Sequence, residues 1–139
     1  MDAVKVAREN VEAFSASDWG RFKAGLSPDS IYEEPATQRR IKGAQEITQG
    51  IQSWKKAFPD AKGTVKNAMA SGDTVTLEIT WEGTQTGPLE GEQGTIPASG
   101  KHVVVEAVQV VRVENDKIKE NRHFFDMLGL LRQIGATPQ

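Results

Sequence analysis

The chain contains no cysteine. That excludes disulfides, a thiolate nucleophile and any cysteine-ligated metal, and it fits a reducing compartment. Histidine is nearly as scarce, with two in 139 residues, and tyrosine occurs once. His102 and His123 stand far apart with no cysteine near either, which is a poor metal-ligating set, so no metal is expected. Neither sign of charge dominates: 17 basic and 19 acidic residues leave a net charge of -2, and they are mixed along the chain. Nothing resembles a nucleic-acid-binding patch or a polybasic membrane arm. No apolar run is long enough to span a bilayer, and the opening MDAVKVARENVEAF carries acids early, unlike a secretory signal. The expectation is a soluble cytoplasmic protein without nucleic-acid or membrane partners. Its length suits one domain, residues 1–139, able to bury its own core.

What the chain does have is periodicity. Val4, Ala7, Val11 and Phe14 recur at helical spacing, so residues 2–15 read as an amphipathic helix. Asp18 can cap a short second helix with Trp19, Phe22 and Leu26 on one face. LSPDS reads as a turn, and SIYEEP as a short strand ended by Pro35. A third helix starts near Gly43, carries Ala44, Ile47, Ile51, Trp54 and Phe58 as its stripe, and stops at Pro59. Strands follow. GTVKNAMA leads through Gly72-Asp73 into TVTLEITWEGT, where Val75, Leu77, Ile79 and Trp81 share a face. Residues 86–100 are rich in glycine and proline, and a loop of that length in a compact domain is usually functional or mobile. KHVVVEAVQVVRV is apolar on both faces and reads as a strand covered on both sides. KIKENRHFF returns, and MLGLLRQIGA reads as a terminal helical turn or tail. Helices first and then about four consecutive antiparallel strands define an α+β fold, a curved sheet with helices on one side.

Several stretches in this order resemble the SnoaL-like polyketide cyclases of the NTF2-like superfamily. They are PAT after the tyrosine-containing strand, KGAQEI opening a helix, AFPD closing it, WEGTQTG, IPASGK, VVRVENDKI and FFDMLGLLRQIG. The resemblance implies a cone-shaped barrel with a deep pocket between sheet and helices, usually in a homodimer. It implies cofactor-free acid/base chemistry, in which a pocket group takes a proton from an activated carbon and the enolate attacks a carbonyl. The same fold hosts isomerases, epoxide hydrolases and binding modules, so the reaction has to be argued from the site.

The family's last strand carries its acid/base aspartate, and here that position holds His123. Lys117, Ile118, Glu120 and Arg122 match the surrounding pattern. Family histidines are replaced by Gln85, Gln109 and Asn121. Strand alternation puts Asn121, His123 and Phe125 on one face and Arg122, Phe124 and Asp126 on the other. An imidazole with an ordinary pKa of about 6.5 suits a general base. Glu34, just before PAT, is the candidate orienter, raising the His123 pKa and fixing its tautomer, or else is itself the base. Gln109, Gln85 and Asn121 are candidate hydrogen-bonding groups for substrate, with Tyr32, Trp54, Trp81, Phe14 and Phe125 as further lining. By parity Glu106 faces outward, and Asp126 is expected to cap the terminal helix. The expected ligand is a small or medium apolar or aromatic carbonyl compound. The leading reaction is cyclisation or isomerisation. A non-catalytic binding protein is the alternative, as is an epoxide or ester hydrolase using Glu34 with Tyr32 or Asn121.

Overall fold

The computed structural model describes residues 2–91 and 94–136. Three of its four helices start at an aspartate placed to accept an otherwise orphaned backbone N–H. Asp2 caps α1 (Ala3–Ser15), Asp18 caps α2 (Trp19–Ala24) and Asp126 caps α4 (Met127–Gln133). The third, α3 (Ala44–Ala57), follows Gly43, whose φ of 106° favours glycine. The apolar stripes of α1 and α3 face the sheet. Val11 and Phe14 on one helix, and Ile47 and Ile51 on the other, are buried.

In chain order the strands are β1 (Leu26–Glu34), β2 (Arg39–Lys42), β3 (Lys62–Ser71), β4 (Thr74–Thr84), β5 (Leu89–Gly91), β6 (Gly94–Ile96), β7 (His102–Glu114) and β8 (Lys117–Phe125). Six of them form one sheet in the order β2-β1-β8-β7-β4-β3, and β5 pairs with β6 alone. All pairs are antiparallel except β1 with β8, which run parallel and join the two ends of the chain. The concave face carries Val75, Leu77, Ile79, Val111, Val113 and Ile118, all buried against the helices. A second cluster of Phe58, Leu89, Val103, Val105, Leu130 and Ile134 closes one end. Among the described residues no helix is long and apolar enough to cross a membrane.

The architecture is the expected α+β cone, with four corrections. LSPDS is not a turn. It belongs to β1, where the register shifts between Leu26 and Ile31 and leaves Pro28 and Asp29 exposed. The four consecutive strands and the SIYEEP strand are joined by a sixth that was not expected, because RRIK adds β2 at an edge. Residues 86–100 are not structureless, since they contain the β5–β6 hairpin. β7 is covered on one face only. Its burial alternates, and Val104 on the outer face remains 45% exposed.

The start of that hairpin segment lies hard against α3. The Gly87 N–H donates to Ala57 O, and a Cβ on Gly87 would stand 1.9 Å from Lys56 O. A backbone oxygen cannot swing away as a side chain can. Gly87→Ala is therefore expected to destabilise the protein by about 1–3 kcal/mol, read by chemical denaturation. Amide exchange at Ser99, on the same segment, should accelerate with it.

Candidate active site

Alternation on three neighbouring strands brings the site together. Ser30, Tyr32 and Glu34 are buried positions of β1, Asn121 and His123 of β8, and Gln109 is the buried polar position of β7. Register pairs Tyr32 with Asn121 and Gln109 with His123. A cavity of about 110 Å³ lies between this face and the helices. Phe14, Tyr32, Trp54, Trp81, Gln109, Asn121, His123 and Phe125 all line it, as do apolar side chains of α1 and α3.

A continuous hydrogen-bonded chain leads from the cavity wall into the protein. The Trp81 indole N–H donates to His123 Nε2 at 3.1 Å. Because an indole nitrogen is a donor only, Nε2 is the acceptor and the neutral ring carries its proton on Nδ1. Nδ1 stands 3.0 Å from Tyr32 Oη and donates to it. The Tyr32 hydroxyl in turn donates to Glu34 Oε2 at 2.5 Å. Trp54 Nε1 donates to the same carboxylate oxygen at 3.0 Å, and Thr37 Oγ1 donates to Oε1 at 2.6 Å. Three donors thus converge on a carboxylate that solvent does not reach.

Electrostatics follow from burial. The His123 pKa is lowered to about 4, chiefly because the buried site disfavours the imidazolium. The charge of Glu34 pulls weakly the other way. Tyr32 is pushed well above its ordinary value near 10 by burial and then by the adjacent Glu34 charge, so it stays a neutral donor. His123 was expected to touch Glu34 and to have its pKa raised. Instead Tyr32 stands between them, desolvation outweighs the carboxylate, and Trp81 with Tyr32 fixes the tautomer.

Glu34 is not on the cavity wall, and its oxygens are occupied, so it cannot meet a ligand directly. Gln85 is also corrected. It is fully buried but lies outside the cavity lining, holding Pro97 O at 3.2 Å and the Ser99 N–H at 3.1 Å. It fastens the 86–100 segment and offers a substrate nothing. Gln109 Oε1 accepts from Asn121 Nδ2 at 3.4 Å. Glu106 faces outward and accepts from Thr80 Oγ1. Asp126 caps α4, accepting the Gly129 N–H at 2.9 Å.

Sequence reasoning passed over Thr37, Ser30 and Asn10. Thr37 lies three residues after Glu34, the reach of a side chain folding back across a turn. Ser30 has the parity of Tyr32 and Glu34. Asn10 interrupts the buried face of α1, three residues after Ala7 and one before Val11. A polar residue on an apolar stripe was the available signal.

A curved sheet wrapped by helices around an apolar cavity is the NTF2-like fold, shared with solved structures. Within that class the chain belongs to the SnoaL-like polyketide cyclase family, whose model matches residues 4–134. Among solved structures it is similar to AclR of Streptomyces galilaeus, proposed to be a hydroxylase, with 26% identity, TM-score 0.81, and 99% of this chain and 87% of that chain covered. It is equally similar to TsrD of Streptomyces laurentii, with 26% identity, TM-score 0.82 and 98% of each chain covered. IdmH of Streptomyces antibioticus, a proposed polyketide cyclase, shares the fold at 21% identity and TM-score 0.82, with 97% of this chain and 99% of that chain covered. No curated protein matches the sequence.

The lowered pKa fixes the sign of a pH effect. The unfolded chain binds a proton at His123 near pH 6.5, and the folded chain only near pH 4. The stability linked to neutral His123 is therefore complete above about pH 6.5 and is lost as pH falls toward 4, by roughly 3 kcal/mol across the window. Urea titrations of the parent and of His123→Gln at several pH values should differ by this slope. Nitrogen-15 NMR near pH 7 should show one His123 ring with its proton on Nδ1.

Proposed function

We propose that the protein is a cofactor-free acid/base enzyme acting on a small enolisable carbonyl compound by a cyclase- or isomerase-type proton transfer. The observation that carries this reading is the unbroken chain Trp81–His123–Tyr32–Glu34 running from the cavity wall to a buried carboxylate. An imidazole with a pKa of about 4 is a weak base if it must become imidazolium. The chain avoids that species. A substrate carbonyl displaces the Trp81 N–H from His123 Nε2. The α-carbon proton then moves to Nε2, the Nδ1 proton moves to Tyr32 Oη, and the Tyr32 proton moves to Glu34 Oε2. The C–H bonding pair becomes the enolate, whose oxygen can accept the displaced Trp81 N–H. His123 ends neutral in its other tautomer, and Glu34 holds the proton for return.

Glu34 then acts at a distance, through Tyr32. In an aldol closure the enolate carbon attacks a second carbonyl of the same molecule, and in an isomerisation it is reprotonated at another carbon. His123 standing where family members carry an aspartate is accommodated by this relay, because the proton still ends on a carboxylate. Family membership supports the cyclase or isomerase class. We further propose that the protein works as a homodimer joined through the outer face of β7 and β8, where Val104 and Phe124 are 45% and 40% exposed.

One observation favours a second reading, a non-catalytic binding module: both His123 nitrogens are already hydrogen-bonded. Exchange of ketone α-hydrogens with deuterated water, followed by proton NMR, separates the two. The acid/base reading expects exchange above the buffer rate. Tyr32→Phe and Glu34→Gln should each slow it on the order of 100-fold or more, with ligand affinity held within about threefold. Exchange absent from the parent, undiminished in Tyr32→Phe, or lost in step with binding would sink it. For assembly, sedimentation velocity should give twice the chain mass, returning to a monomer in Phe124→Glu.

A further inference from the structure

Buried polar side-chain atoms in folded proteins nearly always have a hydrogen-bond partner, so exceptions require an explanation. Among the described residues, three such atoms have none in the protein: Asn10 Nδ2, Ser30 Oγ and Asn121 Oδ1. They come from three different elements, α1, β1 and β8. All three residues are more than nine-tenths buried, at 8%, 1% and 6% exposure. All three also line the same cavity, whose remaining wall is apolar apart from Tyr32, Glu82, Gln109, His123 and the indoles of Trp54 and Trp81. Chance would scatter such atoms through the core. Here all three open onto one cavity, Asn10 from the helix side and Ser30 and Asn121 from the sheet, so what the cavity holds is the shared partner within their reach.

Their chemistry is specific. The Asn121 amide is oriented by its own bond, with Nδ2 donating to Gln109 Oε1, which leaves Oδ1 as an acceptor. Asn10 offers a donor, and Ser30 offers both. A carbonyl oxygen would satisfy Asn10 and leave Asn121 Oδ1 bare. A carboxylate would set two acceptors against each other, with no cationic side chain on the cavity wall. A hydroxyl fits all three, since its hydrogen goes to Asn121 Oδ1 and its lone pairs accept from Asn10 Nδ2 and Ser30 Oγ. Asn121 and His123 are two residues apart on one strand, roughly 7 Å along it.

We infer that Asn10, Ser30 and Asn121 form a hydroxyl-binding subsite, so that the preferred ligand is a hydroxylated carbonyl compound. Its hydroxyl sits about one strand pair (roughly 7 Å) from the carbonyl held near His123. The subsite rests on the reading of this cavity as the ligand site, and not on His123 acting as a base. A phenol ring with a carbonyl at its far end has the required span and is flat enough to lie among Phe14, Trp54 and Phe125.

The test is isothermal titration of the full chain with para-hydroxyacetophenone, para-methoxyacetophenone and acetophenone. The hydroxy compound is expected to bind about tenfold more tightly than either of the others, the worth of pairing otherwise unsatisfied groups. The methoxy compound can accept but not donate, so it isolates the bond to Asn121 Oδ1. In Ser30→Ala and Asn121→Leu the preference should fall to about twofold or less. Equal affinities in the parent, absence of binding by all three, or a preference retained in both variants would overturn the subsite. The parent comparison needs no variant to fold. A hydroxyl preference without ketone exchange would keep this inference while removing the acid/base reading, and exchange without the preference would do the reverse.

Discussion

A carboxylate sealed away from water is the constraint around which the rest of this protein is arranged. An isolated buried carboxylate would be strongly unfavourable, and it is tolerated only when its lone pairs are met by donors. Glu34 is met by Tyr32 from its own strand, Thr37 from the turn that follows and Trp54 from α3. Each donor fixes an element. Thr37 holds the end of β1 to the short helical turn, Trp54 holds α3 against the sheet, and Tyr32 carries the interaction on to β8. Removing the carboxylate would leave a hydroxyl, an indole and a phenol each seeking a partner in an apolar interior, so the charge organises the wall as well as serving it.

That arrangement also explains why the imidazole is where it is. From its position on β8 His123 reaches both Tyr32 across the parallel pair and Trp81 on β4. Both bonds require its neutral form in one tautomer, and burial enforces the same choice independently. Hydrogen bonding and desolvation thus agree, and the ring is preorganised with its acceptor nitrogen at the cavity wall. Trp81 is itself pressed into place from behind. A Cβ on Gly63 would stand 2.7 Å from its ring, so only glycine fits there without moving the indole.

Much of this was legible in the residues. Helical periodicity and strand alternation located α1, α3, β3, β4, β7 and β8; parity put Asn121 with His123 on one face and Glu106 opposite Gln109, and the family resemblance turned His123 inward, as observed. What escaped was whatever depends on partners distant in sequence. LSPDS carries the residues of a turn, yet the strand beside it draws it into β1 with a bulge. Gln85 resembles a pocket residue by position, but the folding back of 86–100 surrounds its amide with backbone groups. The distance between His123 and Glu34 was the largest miss. Both are inward on neighbouring strands, and the register that pairs Tyr32 with Asn121 and Glu33 with Arg122 brings Glu34 level with His123; what strand parity could not show is the side chains, since Thr37 and Trp54 hold the carboxylate while the Tyr32 hydroxyl reaches both it and the ring.

The parallel β1–β8 pair has a consequence for how the protein comes into being. Tyr32 and His123 are 91 residues apart in sequence, and their contact closes the longest loop in the site. The β3–β4 and β7–β8 hairpins can form locally, whereas this pairing must wait until the chain's two ends meet across a large entropic gap. During synthesis β1 leaves the ribosome long before its partner exists. Until β8 emerges, the Glu34 carboxylate has no interior to be buried in and the cavity has no wall. The assembled cavity thus depends on the last strand, and a protein trimmed before β8 would keep the β3–β4 hairpin while losing the Tyr32–His123 contact.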